Sequence, residues 1–117
     1  MHKLMIVDDQ VYILEGLKMC LEDDFEVALV DNSEDYMQVI ENFKPDIALI
    51  DYKMPGKDGI EIIQDIVKRP DHPVIIIFSA CLTGDIVDQA RTLGAVDWLS
   101  KPFDIELLKA KLHRALN

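Results

Sequence analysis

The chain has 117 residues, half of them apolar, and a formal net charge of −10, enough length and apolar content for one core without disulfide or metal staples. The acidic balance argues against direct binding to nucleic acid, whose phosphates are held by Lys and Arg. The opening apolar run Leu4-Met5-Ile6-Val7 ends at Asp8 and Asp9, far short of the ~20 residues a membrane-spanning helix needs, so one cytoplasmic domain over 1–117 is expected, with no signal peptide and no membrane contact.

Short apolar runs rich in β-branched residues alternate with stretches of helical periodicity along the chain. Lys3–Val7 reads as a first strand, followed by a helical stripe of Leu14, Leu17 and Leu21. Glu26–Val30 reads as a second strand, with Ser33 as N-cap of a helix whose stripe is Met37, Ile40 and Phe43. Pro45 then precedes Ile47–Ile50, a nearly continuous apolar strand of the kind covered on both faces. Ile60, Ile63, Ile66 and Val67 form a third stripe, and Pro70 and Pro73 lie in the connection to a second apolar strand, Val74–Phe78. Ile86, Ala90 and Leu93 make a fourth stripe, closed by Gly94 as C′ residue before the strand Val96–Leu99. Asp104 caps the last helix, with stripe Leu108, Leu112 and Ala115. Strands joined by helical crossovers predict a mostly parallel sheet with helices on both faces and right-handed connections.

Charge and thiols add two smaller expectations. Residues 1–42 hold 2 basic and 11 acidic side chains, residues 43–117 hold 10 and 11, so the first part is a solvated acidic surface or one that steers a partner. Cys20 and Cys81 lack C-x-x-C spacing, and both are expected as reduced thiols, with Cys20 in the core.

Ligands of such sheets bind beyond the carboxyl ends of the strands, where the strand order reverses. Asp8 and Asp9 follow the first strand, Asp51 the third, Ser79 the fourth and Lys101 the fifth. Each alone is an ordinary strand-end residue; together they bring three carboxylates, a hydroxyl and an ammonium to one edge. Two carboxylates ~4 Å apart repel by about 4 kcal/mol at an effective dielectric of 20, so the set needs protons or a cation. Carboxylates without His or a paired Cys suit Mg²⁺ better than Zn²⁺. A carboxylate is also a nucleophile that can form an acyl phosphate, given charge neutralisation and donors around the transferring oxygens.

Four motifs carry a resemblance over the whole chain: Val7-Asp8-Asp9; Leu49-Ile50-Asp51-Tyr52-Lys53-Met54-Pro55-Gly56-Lys57-Asp58-Gly59; Phe78-Ser79-Ala80; and Gly94-Ala95-Val96-Asp97-Trp98-Leu99-Ser100-Lys101-Pro102-Phe103. In order and spacing the chain resembles two-component response-regulator receiver domains. The resemblance implies a flavodoxin-like doubly wound α/β fold with strand order 2-1-3-4-5. It implies that Asp51 accepts a phosphoryl group from a sensor histidine kinase or histidine phosphotransfer protein. It further implies Mg²⁺ held by Asp8, Asp9, Asp51 and the Lys53 backbone carbonyl, with Lys101, ahead of a cis peptide to Pro102, pairing with the phosphoryl group. Ser79 would move toward a phosphoryl oxygen, and Trp98 occupies the position of the switch aromatic, so that the surface over about 83–116 controls a downstream effector. A phosphorylation-dependent homodimer is a further partner arrangement of the family.

Departures from the family pattern matter too. Ser79 replaces the commoner Thr, Trp98 stands where Tyr or Phe is commoner, and Lys53 flanks the path of attacking water, where its ammonium is expected to modulate the acyl-phosphate lifetime. A haloacid-dehalogenase-type phosphatase also uses a strand-end Asp and Mg²⁺. That family wants Asp-x-Asp, whereas Lys53 stands two positions after Asp51. A phosphorylation-independent receiver-like binding module is the alternative; such modules typically lack part of the site. His2, His72 and His113 are scattered, Asp23-Asp24 reads as a solvated helix end, and Gly56 and Gly59 fit a turn rather than a phosphate loop. Lys109, Lys111 and Arg114 suit a helix C-terminus. A stand-alone regulator and a domain of a longer regulator or hybrid kinase both fit.

Overall fold

Ten elements alternate strictly: β1 (His2–Val7), α1 (Val11–Leu21), β2 (Phe25–Val30), α2 (Tyr36–Phe43), β3 (Ile47–Asp51), α3 (Gly59–Ile66), β4 (Val74–Ser79), α4 (Gly84–Leu93), β5 (Asp97–Ser100) and α5 (Ile105–Leu116). They are seen in a computed structural model that describes residues 1–117. All strand pairs are parallel and the order is β2-β1-β3-β4-β5, the doubly wound, flavodoxin-like arrangement.

The pleat divides the core. In β3, Ile47 and Leu49 face one layer with Leu14, Leu17 and Leu21 of α1 and Leu108 and Leu112 of α5, while Ala48 and Ile50 face the other with Tyr36 and Ile40 of α2, Ile63 and Ile66 of α3 and Ala90 of α4. Both layers need apolar partners, which explains why β3 and β4 read as continuous apolar runs. Ile50 is fully buried, and Ile50→Ala would cost about 2–5 kcal/mol.

Local chemistry sets the helix starts. Asp58 and Glu61 form a reciprocal capping box at α3, Thr83 Oγ1 accepts from Ile86 N–H at α4, and Asp104 accepts from Glu106 N–H at α5. Gly94 ends α4 at φ +122, a conformation that favours glycine.

Several expectations are corrected. Asp35, not Ser33, holds the N-cap position of α2, and the Ser33 hydroxyl is spent on another loop. Tyr36 rather than Met37 or Phe43 joins Ile40 as the buried part of α2. Cys20 is exposed, because α1 buries Leu14, Leu17 and Leu21 and Cys20 lies about a quarter-turn off that stripe. β5 begins at Asp97, since its ladder with β4 starts at the Ile76–Asp97 pair and Val96 is left 55 % exposed. Of Lys109, Lys111 and Arg114, only Arg114 lies in the last turn of α5; it and Lys111 both bind Asp97, and Lys109 pairs with Asp24 at 3.6 Å.

Candidate functional site

The chain reverses direction of strand addition between β1 and β3, and the crevice lies over their carboxyl ends. Val7 pairs with Ile50, so the next residues, Asp8 and Asp51, stand level on neighbouring strands. Leu4 and Ile6, Ile47 and Leu49, and Leu99 all belong to the α1/α5 layer. One more step of the alternation puts Asp8, Asp51 and Lys101 on that same side. The register thus brings together residues 50 and 93 positions apart in sequence from Lys101.

The contacts follow. Lys101 Nζ donates to Asp8 Oδ2 at 2.7 Å and to Asp51 Oδ2 at 3.4 Å, and lies 4.6 Å from the Phe78 ring centre. The other oxygen of Asp8 accepts from Gln10 N–H at 3.0 Å. Asp51 Oδ1 has only a long 3.4 Å contact from Lys53 N–H. Ser79 Oγ accepts from Cys81 N–H at 3.2 Å, leaving its own proton free to donate. Asp8 and Ser79 are buried, Asp51 is 4 % exposed and Asp9 is exposed. The Lys101–Pro102 peptide is cis.

These side chains open on a cavity of about 580 Å³ lined by Asp9, Gln10, Asp51, Lys53, Met54, Pro55, Ser79, Ala80, Cys81 and Lys101. Asp8, Asp9 and Asp51 each offer a carboxylate oxygen, all within 4.8 Å of one another. Burial, and then the charge of Asp8, push the Asp51 carboxyl up to about 6, only partly offset by Lys101 and the Lys53 N–H. One ammonium therefore leaves the site short of positive charge. Hard oxygen donors, crowded and undercompensated, fit a hard divalent cation.

Trp98 faces away from this crevice. It is 38 % exposed, with Arg91 at 5.5 Å and Lys111 at 5.2 Å from its ring centre. His2, His72 and His113 lie outside the cavity. Contributors to the crevice not anticipated from sequence include the Gln10 N–H on Asp8, the Cys81 N–H on Ser79, the cavity-lining Met54, Pro55 and Ala80, and, behind that lining, Ser33, whose hydroxyl reaches Pro55 from 22 positions away. Only Gly56, a turn signal, pointed toward the last.

Comparison with known proteins agrees with this geometry. A family model described as the response regulator receiver domain matches residues 4–113. The chain is 33 % identical over 117 residues to the chemotaxis protein CheY of Listeria monocytogenes, covering 98 % of each. It is 34 % identical over 112 residues to the transcriptional regulatory protein KdpE of Staphylococcus aureus, covering 95 % of this chain but 48 % of that protein. It spans, then, about half the length of that regulator. The crystal structure of a CheY-like response regulator receiver domain protein from Methanospirillum hungatei superposes with a TM-score of 0.93 at 26 % identity, covering 99 % of this chain and 94 % of that one. With the strand order, the acidic crevice and the motif register all in agreement, the chain belongs to the response regulator receiver domain family.

Proposed function

We propose that residues 1–117 form one phosphoaccepting switch in which Asp51 takes a phosphoryl group from the phosphohistidine of a sensor kinase or phosphotransfer protein. The observation that carries this reading is the setting of Asp51: a carboxylate 4 % exposed, bordering an open cavity, 3.4 Å from an ammonium and crowded by two further carboxylates.

An oxygen of Asp51 attacks phosphorus, the P–N bond of the donor breaks, and its electron pair returns to the imidazole, which takes up a proton from solvent. Asp8, Asp9, Asp51 and the Lys53 carbonyl would hold Mg²⁺, which when bound neutralises charge on the transferring oxygens. Lys101, already between Asp8 and Asp51, supplies a fixed positive charge to a phosphoryl oxygen. The Ser79 hydroxyl has its proton available for another. The acyl phosphate carries roughly −1.5 to −2 charge and three acceptor oxygens where the ionised carboxylate carried a single charge, which draws both groups inward and biases the 83–116 surface, which carries Trp98 and signals to an effector. The chemistry is confined to phosphorylation and dephosphorylation of the chain itself.

Intact-mass analysis after incubation with acetyl phosphate tests the reading. The expected result is a gain of one phosphoryl group with Mg²⁺ and none in EDTA or in Asp51→Asn. No gain with either acetyl phosphate or a phosphorylated histidine donor would favour the phosphorylation-independent binding module.

A further inference from the structure

The loop from residue 52 to 58, between β3 and α3, carries Lys53, Met54 and Pro55, three of the residues lining the cavity. Its base is closed at Gly59, whose N–H donates to Tyr52 O at 2.7 Å; a Cβ there would lie 2.8 Å from Asp51 O. The rest of the loop is held differently. From Lys53 to Lys57 the backbone makes no hydrogen bond to other backbone, and apart from the long Lys53 N–H contact with Asp51 it bonds only to Ser33.

Ser33 serves both sides of the turn. Its hydroxyl donates to Pro55 O at 2.9 Å, and the same oxygen accepts from Lys57 N–H at 3.2 Å. Between them Gly56 sits at φ +86, and a Cβ on it would come within 2.5 Å of Ser33 Oγ, so the glycine and the serine fit one another. Ser33 is 7 % exposed, which limits competition from water for both bonds. Lys57 is pinned again through its side chain: Nζ donates to Tyr36 OH at 3.1 Å, and that hydroxyl donates to Asp65 Oδ2 at 2.7 Å. The Ser33 loop is itself set by Asn32, whose Oδ1 accepts from the N–H groups of Glu34 and Asp35.

We propose that Ser33 is a positioning residue for the acidic site, its hydroxyl fixing the 52–58 loop so that the Lys53 carbonyl is presented as a ligand beside Asp8, Asp9 and Asp51. The inference rests on the reading of those carboxylates as a divalent-cation site. A ligand carbonyl on a loop is useful only when held to a fraction of an ångström, and here one hydroxyl bridges the loop's otherwise unbonded backbone to the neighbouring connection. Without it the loop samples other arrangements, and apparent affinity falls by the fraction of time the ligand is misplaced.

Calorimetric Mg²⁺ titration of wild type, Ser33→Ala and Ser33→Thr, together with exchange of the Lys53 amide in metal-free protein, tests this. Ser33→Ala is expected to weaken Mg²⁺ binding on the order of 10-fold and to speed exchange at Lys53, with Ile76 in β4 remaining protected. Ser33→Thr, which keeps the hydroxyl, should restore most of both. Wild-type affinity in Ser33→Ala would overturn the proposal. A loss shared equally by both variants with Lys53 exchange unmoved would be a packing effect and would overturn it as well. If wild type itself binds no Mg²⁺, the reading of the site fails and this inference with it, an outcome distinct from failure of Ser33 alone.

Discussion

Asp51 and Asp97 are both strand residues with little exposure, 4 % and 8 %, yet their surroundings treat them oppositely. Asp51 has one shared ammonium, a long amide contact and two neighbouring carboxylates, and is pushed up to about 6 by burial and by Asp8. Burial would also push Asp97 up, but Lys111 Nζ at 2.9 Å, Arg114 Nη2 at 2.8 Å and the Trp98 N–H at 2.8 Å outweigh it and hold the carboxyl below its ordinary value. Lys111 also donates to Trp98 O at 2.8 Å, so one cluster ties β5 to α5. A buried charge whose partners are supplied is a structural joint; one left short of partners is a place where chemistry happens.

Removing the Asp97 joint should have the largest effect. Asp97→Ala leaves the Lys111 ammonium, on a side chain only 16 % exposed, without its carboxylate, and should lower unfolding free energy in urea by about 2–3 kcal/mol. A loss near zero would reduce the cluster to ordinary surface pairs.

Asp51→Asn should act in the opposite direction. With a folded value of about 6 against an ordinary 3.8, ionising Asp51 costs folding free energy as pH rises through that interval. In EDTA at pH 7 the asparagine variant should therefore be more stable by on the order of 2 kcal/mol. The gain should shrink as pH falls through that interval and vanish well below 3.8, where the wild-type carboxyl is protonated in both states. Asp97 has the other sign: its contribution is present above the ordinary carboxylate value and is lost as pH falls through the lowered folded one. Urea melts of wild type, Asp51→Asn and Asp97→Ala from pH 3 to 7 would separate the two. Added Mg²⁺ should narrow the gap between wild type and Asp51→Asn by stabilising wild type.

The smallest effect is expected at Lys53, exposed on the rim of the cavity. Lys53→Ala should change the dephosphorylation rate a few-fold without changing stability. An unchanged rate would leave it a solvated lysine.

What the sequence made legible is what depends on local pattern and strand register. The apolar runs at Ile47–Ile50 and Val74–Phe78 marked the central strands, and polar residues just beyond them marked the crevice. Asp51 and Ser79 proved to be the last residues of β3 and β4 rather than the first beyond them, which leaves their positions at the edge intact. Contacts between distant loops were not legible. A serine ahead of a helical stripe satisfies every local rule for an N-cap, and nothing near Ser33 reveals that its partners are Pro55 and Lys57. Asp97 likewise looked like one polar position of a strand, because its partners lie 14 and 17 residues on, in α5. Cys20 failed for a simpler reason: the general tendency of free cysteine to be buried yields to where a residue falls around its helix.

Location of the phosphoryl group tests the central claim most directly. Aspartyl phosphate is an acyl phosphate, so borohydride reduces it to homoserine with release of phosphate, and peptide mass analysis after treatment with acetyl phosphate and Mg²⁺ identifies the reduced residue. The expected result is homoserine at position 51 alone. Homoserine at position 8 or 9, or none from either acetyl phosphate or a phosphorylated histidine donor in a chain that still binds Mg²⁺, would contradict the assignment of Asp51 as the acceptor.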